Sequence, residues 1–203
     1  MQYLDFLEQL APQRTLLTPQ KRRALLWTGQ SSWQNAGLFP DQIHLLKTLF
    51  RDDALTTGFP FHQDCDQHQP SPLWRASLRN ARQTLWCRNN PRYQHLLHQT
   101  LNTALHNTGE RLILLTASCG FEMLNTAFQK TQPPPNLKIQ IIALGPTCLS
   151  KIALPTFTTI QGHTDIYSKL LFRGPVHHTP NCGHLDYARC PETLQLLKHL
   201  VAH

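Results

Sequence analysis

The chain has 203 residues, of which 40% are hydrophobic and 15% are charged, so it holds enough apolar material for one sizeable core. Nine glycines exclude a glycine-rich fibrous chain, and no apolar run approaches the ~18–20 residues that a membrane span needs. Nineteen basic and twelve acidic residues give a net charge of +7, which suits anionic partners. We expect a soluble, cytoplasmic protein with a single domain over residues 1–203 and no membrane span.

The distribution of basic residues and cysteines bears on nucleic-acid binding, disulfides and metal sites. The densest basic run is 21–23, and no basic stripe alternates with aromatic residues, so we expect no nucleic-acid partner. The six cysteines form no CxxC pair, and the start of the chain does not resemble a secretory signal, so neither a disulfide framework nor a metal site is expected. We expect no cofactor.

Apolar periodicity divides the chain into alternating strands and helices. In chain order the prediction is a helix at 2–10, strand 24–28, helix 40–51, strand 54–57, helices 72–87 and 91–107, strand 111–116, helix 118–129, strands 138–144 and 156–161, a weak strand 175–179 and a helix at 191–202. Short apolar strands separated by helices are typical of a sheet covered on both sides. This order predicts an α/β fold: a mainly parallel sheet of about six strands with helices on both faces.

The spacing of the strands leaves room for one long insertion. It runs over 62–110 between two predicted strands, and it includes two of the helices. Apolar residues in or just before it either wall a pocket or pack the first of these helices on the sheet: Phe59, Phe61, Trp74, Leu78, Leu85 and Trp86. By contrast, only about a dozen residues, 145–155, separate the strands 138–144 and 156–161, which is too few for a large lid.

Three predicted strand ends carry residues suited to chemistry, and parallel sheets place their sites at the carboxyl ends of strands. The first is Ser118, which stands between a buried strand and a helix with the small residues Thr116 and Gly120 two positions away on either side. A sharp turn there would hold the hydroxyl clear of the backbone, and the N–H of Cys119 would face a developing oxyanion. Alone, the segment fits an N-capping serine slightly better.

The second and third strand ends carry an acid and a base. Asp165 follows the strand 156–161, and its carboxylate would orient a histidine and stabilise its charged form. His184 lies in a loop after the strand 175–179, and an imidazole titrates near neutrality, as a general base must. A capping aspartate and an inert loop histidine are the commoner roles. Three such residues in the order Ser118, Asp165, His184 at strand ends are harder to explain as coincidence.

On these residues the chain resembles the α/β-hydrolase superfamily over about residues 22–203. Its pattern G-x-S-x-G is matched by 116–120, with threonine for the first glycine; 162–165 looks like the acid-bearing turn, and 183–187 like the histidine loop. The resemblance agrees with a triad of Ser118, His184 and Asp165. It also implies an oxyanion hole formed by the N–H of Cys119 and a second N–H from Gly29 or Gln30, which follow the strand 24–28.

Two positions depart from the pattern of this superfamily. Thr116 is bulkier than glycine and β-branched, which is unusual in a tight turn. Thr28-Gly29 stands where the oxyanion loop usually has His-Gly. Neither departure removes a residue of the triad.

The expected activity is that of a serine carboxylesterase or thioesterase: cleavage of an ester or thioester through an acyl-enzyme. The substrate is expected to be a small molecule or an acyl group on an acidic acyl carrier protein, the latter because of the positive net charge. Two alternatives remain open. Cys119 is a rival nucleophile, since thiolates are favoured at helix N-termini, although it would leave Phe121 at a small position. The second alternative is that the chain is a catalytically inactive, hydrolase-like binding protein.

Overall fold

The structure is a computed structural model that describes residues 3–9, 18–31, 38–50, 54–56 and 71–202. In chain order the elements are α1 (Tyr3–Gln9), β1 (Gln20–Thr28), α2 (Pro40–Leu49), β2 (Ala54–Thr56), α3 (Leu73–Asn89), α4 (Pro91–His106), β3 (Thr108–Ala117), α5 (Gly120–Phe128), β4 (Lys138–Leu144), β5 (Phe157–Ile160), α6 (Ile166–Leu171) and α7 (Pro191–Val201). Within these residues, no helix is both long and apolar enough to cross a membrane.

The five strands form one parallel sheet in the order β2-β1-β3-β4-β5. The expected parallel sheet is confirmed, with one difference at its far edge. Instead of a sixth strand at 175–179, a single parallel bridge joins His178 to Ile160. Pro175 and Pro180 flank this bridge, and because proline has no N–H to donate, the pairing ends after one step.

The sheet is covered on both faces, as the alternation along β3 shows. Leu112 and Leu114 face a core cluster that contains residues of α1, α4 and α5. Ile113 and Leu115 face the opposite cluster, which contains residues of α2 and α7. Because successive side chains of a strand point to opposite faces, an uninterrupted apolar run requires partners on both sides. The prediction of helices on both faces is confirmed.

Two strands begin earlier than the apolar pattern predicted. β1 begins at Gln20 rather than at 24, and β3 begins at Thr108 rather than at 111. The two strands already pair with each other at Gln20 and Thr108. Backbone pairing does not require apolar side chains, so the apolar pattern did not indicate the polar first residues of either strand.

Helices α3 and α4 lie within the range of the expected insertion, whose status as a unit stays a prediction. α3 is buried through Gln83 and Cys87. Trp74, Leu78 and Leu85 are instead more than half exposed, so of the two roles considered for them, packing α3 on the sheet is wrong. Trp86 packs partly against the core, and Phe59 and Phe61 lie outside the described residues.

Candidate active site

Ser118 occupies the turn between β3 and α5. Its φ is 52°, in the left-handed region that residues other than glycine rarely adopt. The turn is fixed to the next strand, since the Ser118 N–H donates to Leu144 O (3.2 Å) and the Thr147 N–H donates to Ser118 O (3.1 Å). The N-cap residue of α5 is Cys119, so Ser118 does not have the capping role that its position suggested.

The two positions beside the turn are constrained very differently. A Cβ on Gly120 would overlap the Trp27 carbonyl group of β1, so α5 can lie this close to the strand only with glycine there. Thr116 belongs to β3 and pairs with Ala143, before the turn begins. A β-branched residue is favourable in a strand, which explains why threonine is tolerated where the superfamily pattern has glycine.

The side chain of His184 lies within hydrogen-bond distance of Ser118 on one side and of Asp165 on the other. His184 Nε2 is 2.9 Å from Ser118 Oγ. His184 Nδ1 is 2.9 Å from Asp165 Oδ1 and 3.0 Å from Oδ2. A carboxylate only accepts hydrogen bonds, so Nδ1 carries the proton and Nε2 is left to accept from the serine hydroxyl. This arrangement has the connectivity that activates a serine hydroxyl.

Asp165 is fully buried at the N-terminus of α6. It is the capping residue considered from the sequence, since Oδ1 accepts from the Ser168 N–H at 2.9 Å, and the same carboxylate also contacts His184. Burial raises the pKa of Asp165, but hydrogen bonds from His184, the Ser168 N–H and Tyr187 outweigh burial and lower the pKa overall. The carboxylate therefore stays ionised at neutral pH.

Two residues around Asp165 have no role in the sequence-based prediction. The Tyr187 hydroxyl donates to Asp165 Oδ2 at 2.6 Å and accepts from the Gly162 N–H at 2.6 Å. Gly145, which follows β4, has a φ of 49°, and a Cβ there would lie 2.5 Å from Asp165 Oδ2. A glycine at the end of a strand was a usable signal in the sequence. A tyrosine three positions after a histidine was not.

The candidate oxyanion donors are arranged around the Cys119 side chain. A Cβ added to Gly29 would overlap the Cys119 sulfur, so Gly29 lies against the Cys119 side chain. The Gln30 N–H instead donates to the Gln83 Oε1 atom at 3.1 Å. Of the two residues considered after β1, Gly29 is therefore the better candidate for the second donor, because it lies against Cys119 and the Gln30 N–H is already engaged.

Cys119 itself is buried beneath the turn and is only 2% exposed. Burial raises the pKa of its thiol to about 12. A thiol with this pKa is almost entirely protonated at neutral pH. The atom that lies within hydrogen-bond distance of His184 Nε2 is Ser118 Oγ, at 2.9 Å. The environment of Cys119 is the opposite of the electropositive, accessible one that reactive thiols occupy.

Exposed apolar side chains border the site on the side of α6. Ile166, Tyr167 and Leu170 are each more than half exposed and share one face of this helix, and Leu185 directly follows His184. The Tyr167 ring lies 5.3 Å from the His184 ring, which places this apolar face beside the imidazole. In the part of the chain that the structure describes, no three His, Cys, Asp or Glu side chains are grouped to hold a metal ion.

No protein-family model matches the sequence, and no curated protein matches it. Solved structures do match. Esterase PE8 is 17% identical, with 93% of this chain and 94% of that chain covered at a TM-score of 0.54. An alpha-beta serine hydrolase homologue from Coxiella burnetii is 14% identical, with 90% and 86% covered at a TM-score of 0.50. At these identities the likeness is one of fold: the chain has the α/β-hydrolase fold.

Proposed function

We propose that the protein is a serine hydrolase that cleaves a carboxylic ester or thioester through an acyl-enzyme on Ser118. One observation carries the proposal: the unbroken set of hydrogen bonds from Ser118 Oγ through His184 to the buried Asp165. In it Ser118 is the nucleophile, His184 the general base and Asp165 the group that orients the imidazole and stabilises its charged form.

The reaction proceeds in two halves. His184 Nε2 takes the proton of Ser118 as Oγ attacks the carbonyl carbon, and the N–H groups of Cys119 and Gly29 hold the oxyanion. The imidazolium then gives its proton to the departing alcohol or thiol, leaving the acyl group on Oγ. Water, deprotonated by the same nitrogen, attacks the acyl-enzyme and releases the carboxylic acid.

The strain and burial in the site favour an enzyme over the inactive binding protein. A left-handed serine costs roughly 1–3 kcal/mol, and a buried carboxylate is expensive unless its partners are all in place. Ser118 has that conformation, and Asp165 has those partners. A binding protein gains nothing from either feature, whereas a hydrolase needs both.

The surroundings of the site suggest a substrate with an apolar acyl chain. Ile166 and Leu170 share the exposed face of α6 with Tyr167, whose ring lies against His184, and the exposed Leu185 follows His184 in the chain; this apolar surface would contact an alkyl chain but not a charged group. The net charge of +7 suits an acyl group delivered by an acidic carrier protein. We therefore include carrier-bound thioesters with small-molecule esters in the proposed substrate class.

Active-site labelling tests the nucleophile directly. A fluorophosphonate probe is expected to label the wild type and the Cys119→Ala variant, and not the Ser118→Ala variant. Loss of labelling in Cys119→Ala but not in Ser118→Ala would make the thiol the nucleophile. A folded wild type that reacts with no fluorophosphonate and hydrolyses no p-nitrophenyl ester would instead support the inactive binding protein.

A chain-length series tests the substrate class. We expect kcat/KM to be higher for p-nitrophenyl octanoate than for the acetate, and Leu170→Ser to reduce this ratio severalfold while the matched variant Leu170→Met preserves it. An unchanged ratio in Leu170→Ser would remove this surface from the site. For the carrier, an octanoyl thioester on an acidic acyl carrier protein is expected to outperform the octanoyl thioester of free pantetheine, with an advantage that high salt abolishes.

A further inference from the structure

Tyr187 donates to Asp165 Oδ2, the carboxylate oxygen that does not accept from the Ser168 N–H. The residue is 5% exposed and lies between His184 and α7. Its oxygen accepts from the Gly162 N–H at 2.6 Å, which directs its proton to Asp165 Oδ2, also at 2.6 Å. Each carboxylate oxygen thus has one fixed donor besides the histidine: Ser168 N–H on Oδ1 and Tyr187 on Oδ2.

We propose that Tyr187 is a positioning residue that sets the basicity of His184 by sharing the charge of Asp165. This inference rests on the proposed function. The two fixed donors hold the carboxylate so that His184 Nδ1 lies 2.9 and 3.0 Å from its two oxygens. Every hydrogen bond that stabilises the ionised carboxylate also reduces its capacity to stabilise the imidazolium, so loss of the Tyr187 hydroxyl is expected to strengthen the interaction of Asp165 with the imidazolium.

The other polar groups near these side chains are engaged differently. Asp186 accepts from the Gly183 N–H at 3.2 Å, and Lys169 donates to His163 O at 2.5 Å. Cys182 lies near Tyr187, and the Tyr167 ring lies against His184. Ser118 Oγ meets His184 on its other nitrogen. Among the residues that the structure describes, Tyr187 is the one whose side-chain hydroxyl donates to Asp165.

Tyr187 remains a proton donor over the whole working range of pH. Burial, and next the hydrogen bond to Asp165, raise the pKa of its hydroxyl above the ordinary value. The phenol therefore does not ionise where a histidine titrates, and its effect on His184 is constant across the pH profile. A shift of that profile in a Tyr187 variant consequently reports the lost hydrogen bond.

The Tyr187→Phe variant tests the inference. It removes the hydroxyl and keeps the buried ring, so Asp165 Oδ2 loses its fixed donor and the carboxylate stabilises the imidazolium more strongly. We expect the acid limb of the kcat/KM profile to move to higher pH by about half a unit or more. Tyr167→Phe removes the same atom from the ring that lies against His184, and its acid limb is expected to coincide with that of the wild type.

The inference and the proposed function fail in different ways. If the wild type hydrolyses esters but Tyr187→Phe changes only kcat or the melting temperature and leaves the acid limb in place, Tyr187 is merely structural and the hydrolase proposal stands. If the wild type is inactive, the function fails, yet NMR titration of ¹⁵N-labelled histidine, with the His184 signals assigned from a His184→Gln variant, still measures the effect of Tyr187. An unshifted His184 titration there overturns the inference.

A second measurement covers the case in which Tyr187→Phe does not fold. Incorporating 3-fluorotyrosine makes each phenol a stronger donor without removing it. Stronger donation to Asp165 reduces its stabilisation of the imidazolium, so the His184 titration is expected to move to lower pH, opposite to the phenylalanine variant. The Tyr167→Phe background removes the label that contacts His184. No movement in the fluorinated protein refutes the inference.

Discussion

Gly120 is the position at which a single methyl group has the largest expected consequence. In Gly120→Ala, the added Cβ would lie 2.6 Å from the Trp27 carbonyl carbon and 2.7 Å from Thr28 Cα, with the Trp27 carbonyl oxygen closer still. Ordinary carbon–carbon contacts are about 3.5–4.0 Å, so α5 and β1 must separate locally by roughly 1 Å. Both neighbours are backbone atoms, and at Trp27 and Thr28 the strand β1 is paired with Thr116 and Ala117 of β3.

The free energy of unfolding is therefore expected to fall steeply. Overpacking costs ~1–3 kcal/mol where flexible side chains can rearrange. Here the obstacle is the backbone of a buried strand that is held in place by its pairing with β3, so we expect a loss of about 3 kcal/mol or more. Activity on a p-nitrophenyl ester is expected to fall as well, because the same displacement moves Ser118 away from His184.

Urea unfolding, followed by tryptophan fluorescence, measures this loss. Gly109→Ala is the matched control, because its added Cβ would have its nearest neighbours at 3.8 and 3.9 Å. The control is expected to be as stable as the wild type, or more stable by about 0.4–1 kcal/mol, since alanine restricts the unfolded chain. A folded Gly120→Ala protein within about 0.5 kcal/mol of the wild type would show that the contact between α5 and β1 is not tight.

Three further expectations concern the turn and the acid. Ser118→Gly and Ser118→Ala are both expected to be inactive, but the glycine variant should be the more stable by about 0.5–1 kcal/mol in urea, because only glycine relaxes a positive φ. Asp165→Asn is expected to lower kcat on a p-nitrophenyl ester by about 10³–10⁴-fold, because its amide fails to fix the imidazole tautomer; retention of kcat would exclude this role. Folding lowers the pKa of Asp165, so the ionised carboxylate stabilises the protein above its unfolded pKa of about 4. This stabilisation is lost as the pH falls through the folded pKa. The urea midpoint of the wild type should therefore drop more below pH 4 than that of Asp165→Asn.

The layered fold was predictable because the strands that matter are buried on both faces. Residues 112–115 form an apolar run that no half-exposed strand would have, and the run indicated β3 without further information. The segment 175–179 is different: its pairing depends on flanking prolines and a single bridge, and periodicity does not measure either. The polar first residues of β1 and β3 were missed for the same reason, since they pair through the backbone alone.

The positions of the candidate residues followed from strand order, and their supporting contacts did not. Ser118, Asp165 and His184 each follow a strand or bridge of a parallel sheet, and the side chains lie in hydrogen-bond contact; their catalytic roles stay a prediction. Tyr187 was not predictable, because its contact with Asp165 depends on the path of a loop. The engagement of the Gln30 N–H depends likewise on where α3 packs.

The paired contact between Gln83 and Gln30 gives α3 an effect well beyond its own packing. Gln83 Nε2 donates to Gln30 O at 3.0 Å while Gln83 Oε1 accepts from the Gln30 N–H at 3.1 Å. A glutamine amide offers one donor and one acceptor in the same plane, as a peptide unit does, so this side chain acts as a one-residue substitute for an adjoining strand. A segment that replaces 62–110 would therefore need an amide side chain at the position of Gln83. Without it, the Gln30 backbone would lose the two hydrogen bonds that hold it in place.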